Sequence, residues 1–86
     1  MAMAVRIEWR KAALRELGRT PTRVGVALAT DLGRWAENRA AAVDVKALQG
    51  EGGRYRLRKG DWRLLFSFED DVIEVETVAP RGSAYD

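Results

Sequence analysis

The sequence predicts an α+β domain in the order strand, helix, helix, three-stranded meander, and two changes of period carry that prediction. The opening "VRIEW" alternates, with Val5, Ile7 and Trp9 on one side and Arg6 and Glu8 on the other, as a half-buried strand does. Apolar residues then recur at helical spacing as far as Asn38, which gathers them on one helix face. From Arg54 onward the period returns to two.

"RKAALRELGR" places Ala13, Leu14 and Leu17 as an inward stripe, with Gly18 as a C-terminal stop. "TPTRVGVALATDLGRWAEN" begins a second helix, with Thr20 as N-cap and Pro21 at the first helical position. Val24, Leu28, Leu32 and Trp35 line its buried face, while Gly25 and Gly33 weaken it in isolation, so packing must hold it. "RAAAVDVKALQGEGG" shows no decisive period and reads as a helix extension or a loop, its glycines marking a turn into the sheet. "RYRLRK" and "WRLLFSF" flank Gly60-Asp61, a dipeptide suited to a two-residue II′ hairpin. "EDD" turns the chain again, and "VIEVETVA" is the last strand before Pro80.

A chain of 86 residues, 47% hydrophobic and 33% charged, fits one globular domain spanning 1–86. Its apolar runs fall short of the roughly 18 residues that span a membrane, and "MAMAVRIEW" lacks an export h-region. A cytoplasmic protein without a membrane partner is expected. With no cysteine and no histidine, a disulfide scaffold, a thiol nucleophile, an imidazole base and an ordinary zinc site are excluded.

Charge is unevenly distributed. Five of the fifteen basic residues lie between Arg54 and Arg63, and five of the thirteen acids lie between Glu69 and Glu76. A two-residue loop at Gly60-Asp61 sets Lys59 opposite Trp62, Arg58 opposite Arg63, Leu57 opposite Leu64 and Arg56 opposite Leu65. Arg54, Arg56, Arg58 and Arg63 then share one face, while Tyr55, Leu57, Trp62, Leu64, Phe66 and Phe68 share the face that packs on the helices. Like charges directly opposite, as at Arg58 and Arg63, destabilise a sheet. An anion is expected over that face, either an acidic segment or a phosphate backbone.

The acids Glu69, Asp70, Asp71, Glu74 and Glu76 could hold magnesium in principle, but acids in a turn and on an alternating strand are ordinarily solvated, so no metal is expected. "GEGG" lacks the lysine and helix start of a phosphate-binding loop and is a turn. Ser67 and Ser83 have no base nearby in sequence. What remains is a set of cations and a tyrosine. Arg56, Arg58, Arg63 and Arg81 can clamp a phosphate and stabilise charge on it, and Tyr85 can exchange a proton or stack on a base.

These residues resemble a known family. "YRLRKGDWRLLFSFEDDVIEVETVAPRGSAY" resembles the C-terminal half of the RelE/ParE superfamily of type II toxins. The most specific part is "YRLRKGDWR" followed by Arg81-x-x-x-Tyr85; "AALREL" and "VKALQG" agree in the front half. The resemblance implies a four-stranded antiparallel sheet packed on a helical hairpin. It also implies a RelE-like mRNA interferase that enters the ribosomal A site, with Arg56 and Arg58 matching the basic pair, Arg63 the arginine after the turn aromatic, Arg81 the post-strand arginine and Tyr85 the C-terminal tyrosine. Arg54, Lys46 and Lys59 are expected to add to RNA binding. Two departures stand out. "APRGSAY" lacks the histidine many members carry there, and arginine yields its proton less readily than lysine would in the basic pair.

The implied reaction is attack of an RNA 2′-hydroxyl on the adjacent phosphate, without cofactor or metal, in which Arg63 and Arg81 stabilise charge, Arg56 and Arg58 orient the RNA, and Tyr85 assists proton transfer. Implied partners are a cognate antitoxin that covers the site, mRNA and the ribosome, with operator DNA reached through the antitoxin. The alternatives are a ParE-like poison of DNA gyrase and a non-catalytic basic binding module.

Overall fold

The computed structural model describes residues 4–81. Its elements are β1 (Arg6–Trp9), α1 (Lys11–Arg19), α2 (Thr22–Glu37), β2 (Asp44–Ala47), β3 (Arg54–Lys59), β4 (Trp62–Glu69) and β5 (Val72–Pro80). They form one five-stranded sheet in the order β1-β5-β4-β3-β2. The α+β class and the strand-helix-helix-meander order hold.

The sheet has one strand more than expected, and it is mixed. Segment 44–47, read as helix extension or loop, is the edge strand β2, paired antiparallel with β3 from Asp44↔Arg58 to Ala47↔Tyr55. Its residues pass from half-buried Asp44 and Val45 to exposed Lys46 and Ala47 without alternating, so the pairing partner makes the strand. β1 lies at the other edge and runs parallel to β5 from Arg6↔Val72 to Trp9↔Val75, so the sheet is mixed.

Both helices lie on one face, α1 chiefly over β5 and α2 over β3. The core between the layers holds Ala13, Leu28, Leu32, Trp35 and Ala36 from the helices and Leu57, Leu64, Phe66, Ile73, Val75 and Val78 from the sheet. Trp35 is its hub, with ring centroids 5.2 Å from Tyr55, 5.3 Å from Phe66 and 5.4 Å from Phe68, distances at which tilted and edge-on rings attract. Arg39 closes the end of α2, donating to the carbonyls of Trp35 and Ala36 while its guanidinium lies over the Trp35 and Phe68 rings.

The stripe on α1 differs from the one expected. Leu14 is 51% exposed, and the inward positions are Ala13, Glu16, Leu17 and Thr20, which follow helical spacing. Glu16 faces inward because β5 outruns β1. Beyond Val75 this edge of β5 lacks a strand partner among the described residues, and the Glu16 Oε1 accepts the Val78 N–H at 2.9 Å. Thr20 ends α1 rather than capping α2, its hydroxyl donating to the Glu16 carbonyl at 2.8 Å; Pro21 is the N-cap residue of α2 and Thr22 starts the helix. Gly25 lets the helices approach: a Cβ there would meet Leu17 Cδ1 at 3.2 Å.

The β3–β4 hairpin has the expected register, from Lys59↔Trp62 through Arg58↔Arg63 and Leu57↔Leu64 to Arg56↔Leu65. Gly60 takes φ +57° while Asp61 stays at negative φ, as a II′ turn requires. The β4–β5 turn is different. Asp70 and Asp71 both sit in the left-handed region, at φ 51° and 61°, the pattern of a I′ turn that favours glycine at the second position. Asp71→Gly should therefore raise stability by about 1 kcal/mol, seen as a higher urea midpoint with an unchanged m-value.

Candidate functional site

The face of the sheet away from the helices carries the charged residues. Alternation places Arg54, Arg56 and Arg58 of β3 there, with Arg63, Leu65 and Ser67 of β4 opposite them. Lys46 and Asp44 of β2 join the same face as partners of Arg56 and Arg58. At the far side stand Glu74 of β5 and Glu8 of β1, partners of one another.

Intramolecular carboxylates answer some of the charge that the like-charged Arg58–Arg63 pair leaves exposed. Arg58 Nε donates to Asp44 Oδ2 at 3.1 Å, and Arg56 Nη2 stands 3.9 Å from Asp44 Oδ1. Arg54 is held from two sides, by Glu51 and by Glu76, whose Oε1 takes its Nη2–H at 2.5 Å. Glu76 also faces Arg10 at 3.7 Å, and Arg10 donates to Glu74 at 2.9 Å. The Glu76 hydrogen bond raises the Arg54 guanidinium above its ordinary pKa, outweighing desolvation. Arg54 is thus a fixed strut, already engaged by two acids.

Leu65 shows a second duty of these side chains. It points away from the helices, yet it is only 4% exposed. Its register partners are Arg56 and Thr77. Arginine stems cover apolar surface while the heads stay polar, and a row of arginines can seal a sheet face that no helix covers. Arg56 lies down most completely, with a side chain 19% exposed and Nε and Nη2 buried without a hydrogen-bond acceptor among the described residues.

β5 carries an irregularity that sets the end of the site. Phe66 pairs with Val75 and Leu65 with Thr77, so Glu76 is an extra residue on β5, a β-bulge. Ile73 and Val75 face the core before it, and Val78 faces the core after it. The alternation therefore changes phase, and Thr77 and Ala79 fall on the outer face, Ala79 opposite Arg63. Arg81 follows two residues later; its backbone N–H donates to the Asp61 carbonyl at 2.6 Å, tying the end of β5 to the hairpin turn beside Arg63.

Of the residues singled out from sequence, Arg54, Arg56, Arg58, Arg63 and Lys46 share the outer face, and Arg81 is exposed at its hairpin end. Lys59 is not brought there. It lies on the helix side of β3, where its Nζ pairs with Asp31 Oδ2 at 3.2 Å and docks the hairpin on α2. Tyr85 lies outside the described residues. Among the described residues, no three acids converge to hold a metal ion, and no helix is long and apolar enough to cross a membrane.

Comparison with known proteins places this architecture. No family model and no curated protein sequence matches the chain. Solved structures do. The archaeal RelE–RelB complex of Pyrococcus horikoshii OT3 matches at TM-score 0.76 and 27% identity, over 95% of this chain and 100% of that one. The RelB–RelE antitoxin–toxin complex of Methanococcus jannaschii matches at TM-score 0.78 and 21% identity, over 92% and 95%. The isolated E. coli RelE toxin matches at TM-score 0.78 and 21% identity, over 94% and 88%. A two-layer α+β protein with helices on one sheet face and arginines on the other is the class these features define. The chain is RelE-like, with the RelE fold along nearly its whole described length.

Sequence reasoning missed Asp44, Glu51 and Glu76 as partners of the arginines. The bulge had a signal: apolar residues at Ile73, Val75 and Val78 are spaced two and then three apart. Asp44 had none beyond its place in the overlooked strand. Because the Glu76 side chain is 13% exposed and faces two guanidiniums, Glu76→Ala should cost roughly 1.5–3 kcal/mol, as for hydrogen bonds to charged groups. Arg58→Ala, whose partner is solvated, should cost less than about 1 kcal/mol. Urea denaturation of the two variants side by side measures the contrast.

Proposed function

We propose that this chain is the toxin of a type II toxin–antitoxin pair and acts as a ribosome-dependent endoribonuclease on mRNA. The observation that carries the reading is the gathering of Arg56, Arg58 and Arg63 on one open sheet face, with Arg81 tethered beside the hairpin turn, on a fold shared with RelE toxins. The cognate antitoxin is the expected protein partner, since the similar P. horikoshii and M. jannaschii proteins were solved as complexes with RelB.

In this reading an RNA phosphodiester lies across the arginines. Arg56 and Arg58 bind and orient it, and Arg63 and Arg81 meet the charge that grows on the non-bridging oxygens as the adjacent 2′-oxygen attacks phosphorus. The P–O5′ bond breaks, leaving a 2′,3′-cyclic phosphate and a 5′-hydroxyl. Arginine holds its proton too tightly to exchange it, so proton transfer falls to Tyr85 or to groups of the ribosome. The nucleophile comes from the substrate, which accounts for a site without cysteine or histidine.

Over-expression without a partner should arrest growth with protein synthesis failing first in pulse labelling. Earlier failure of DNA synthesis would instead identify a gyrase poison. Arg63→Ala and Tyr85→Phe should each greatly reduce killing at equal expression, with urea midpoints near wild type. Undiminished killing by both would move the site elsewhere. On intact ribosomes, stabilised by crosslinking, cleavage should persist in excess EDTA. A message with one 2′-deoxy sugar immediately 5′ of the cut should bind and stay whole; efficient cutting of it would rule out 2′-hydroxyl attack.

A further inference from the structure

Asp44 stands in an unusual place for an acid on a phosphate-binding face. It lies directly opposite Arg58 on the edge strand β2, with one carboxylate oxygen on Arg58 Nε at 3.1 Å and the other 3.9 Å from Arg56 Nη2. Its side chain is 39% exposed, so it is reachable from solvent. Arg56 Nε and Nη2 are buried and lack a hydrogen-bond acceptor among the described residues. One carboxylate therefore spans two guanidiniums and satisfies a single N–H between them. Arg54 differs, since Glu51 and Glu76 both engage it.

Two oxygens of one anion presented to two neighbouring guanidiniums is the geometry in which a phosphate's non-bridging oxygens bind arginine pairs. We propose that Asp44 is a resident competitor for phosphate. It occupies the anion position between Arg56 and Arg58 in the free protein, holds both arginines in place, and is displaced when a phosphodiester binds. As a proposal about substrate this rests on the RNA-cleaving reading, but the competition itself is defined for any phosphate oxyanion. Its consequence is attenuation. The arginine pair carries one uncompensated positive charge with Asp44 present and two without it, so the acid weakens capture of stray anions and leaves strong binding to ligands that make further contacts along the face.

The test uses the purified full chain and two probes. Inorganic phosphate is titrated at low ionic strength while the arginine Nε–Hε NMR signals are followed. A short RNA oligonucleotide, with every 2′-hydroxyl replaced by hydrogen to prevent cutting, is titrated separately. Asp44→Asn keeps the shape of the side chain and removes its charge. A unit charge about 4 Å away at a partly exposed site makes the expected gain about tenfold in phosphate affinity, with a comparable gain for the oligonucleotide. Asp44→Ser, which removes both charge and reach, should gain as well, and Arg56→Ala and Arg58→Ala should abolish the gain. An acid that merely fastens β2 to β3 would lower the urea midpoint on substitution and leave phosphate affinity equal or weaker. That result in both variants overturns the proposal, as does absence of phosphate binding at these arginines in all of the proteins. Failure of the nuclease reading appears separately, as a wild-type protein that cuts no message, and the phosphate arm still decides the role of Asp44.

Discussion

The fold depends on closing a sheet face that no helix covers. A two-layer domain buries one side of its sheet against helices, and the other side must manage with its own side chains. Here Leu65 is buried on that open side, beside β3, whose outward residues are all arginine. The solution is two clusters of guanidiniums and carboxylates lying along the sheet: Arg10, Glu74, Glu76, Arg54 and Glu51 at one end, Asp44, Arg58 and Arg56 at the other. Pairs of this kind at an exposed site each contribute little. As two clusters on the face that also buries Leu65, they let a basic surface remain ordered.

The two clusters are built differently, and the difference bears on chemistry. Around Arg54 two acids face one guanidinium, and Glu76 is shared with Arg10 as well. Around Arg56 and Arg58 one acid faces two. Positive charge therefore accumulates toward the β3–β4 hairpin, where Arg63 sits opposite Arg58 and Arg81 is tied to Asp61. A polyanion meeting this face finds its favourable potential at that end.

Much of this was legible before any coordinates. The hairpin register followed from Gly60-Asp61 and the period of two, because a two-residue loop leaves no freedom in which residues face each other. The helix α2 followed from Val24, Leu28, Leu32 and Trp35. What escaped was non-local. Strand β2 exists because β3 offers it a partner, and its own residues do not alternate between buried and exposed. Glu16 turns inward to serve an N–H on a strand sixty-two positions further along the chain, which no local pattern on α1 discloses. Lys59 looked like part of the basic face by composition, but strict alternation already assigned it to the helix side, with Trp62. The phase change at Glu76 was written in the spacing of Ile73, Val75 and Val78, where a uniform alternation was assumed instead.

The parallel pairing of β1 with β5 has a consequence for the order in which the protein comes into being. Among the described residues the first strand of the sheet has its only strand neighbour in the last one, and the contacts that join them span almost the whole described chain. During synthesis from the N-terminus, β1 and both helices emerge long before the strand that completes their layer. Loop closure over such a separation is slow compared with local pairing, so the meander of β2 to β5 can assemble first and recruit β1 afterwards. The arginine face lies within that meander and needs Glu76 and the end of β5 in register, so it is finished with the meander and before β1 docks, and a nascent chain still short of β5 holds Arg54, Arg56, Arg58 and Arg63 without their arrangement.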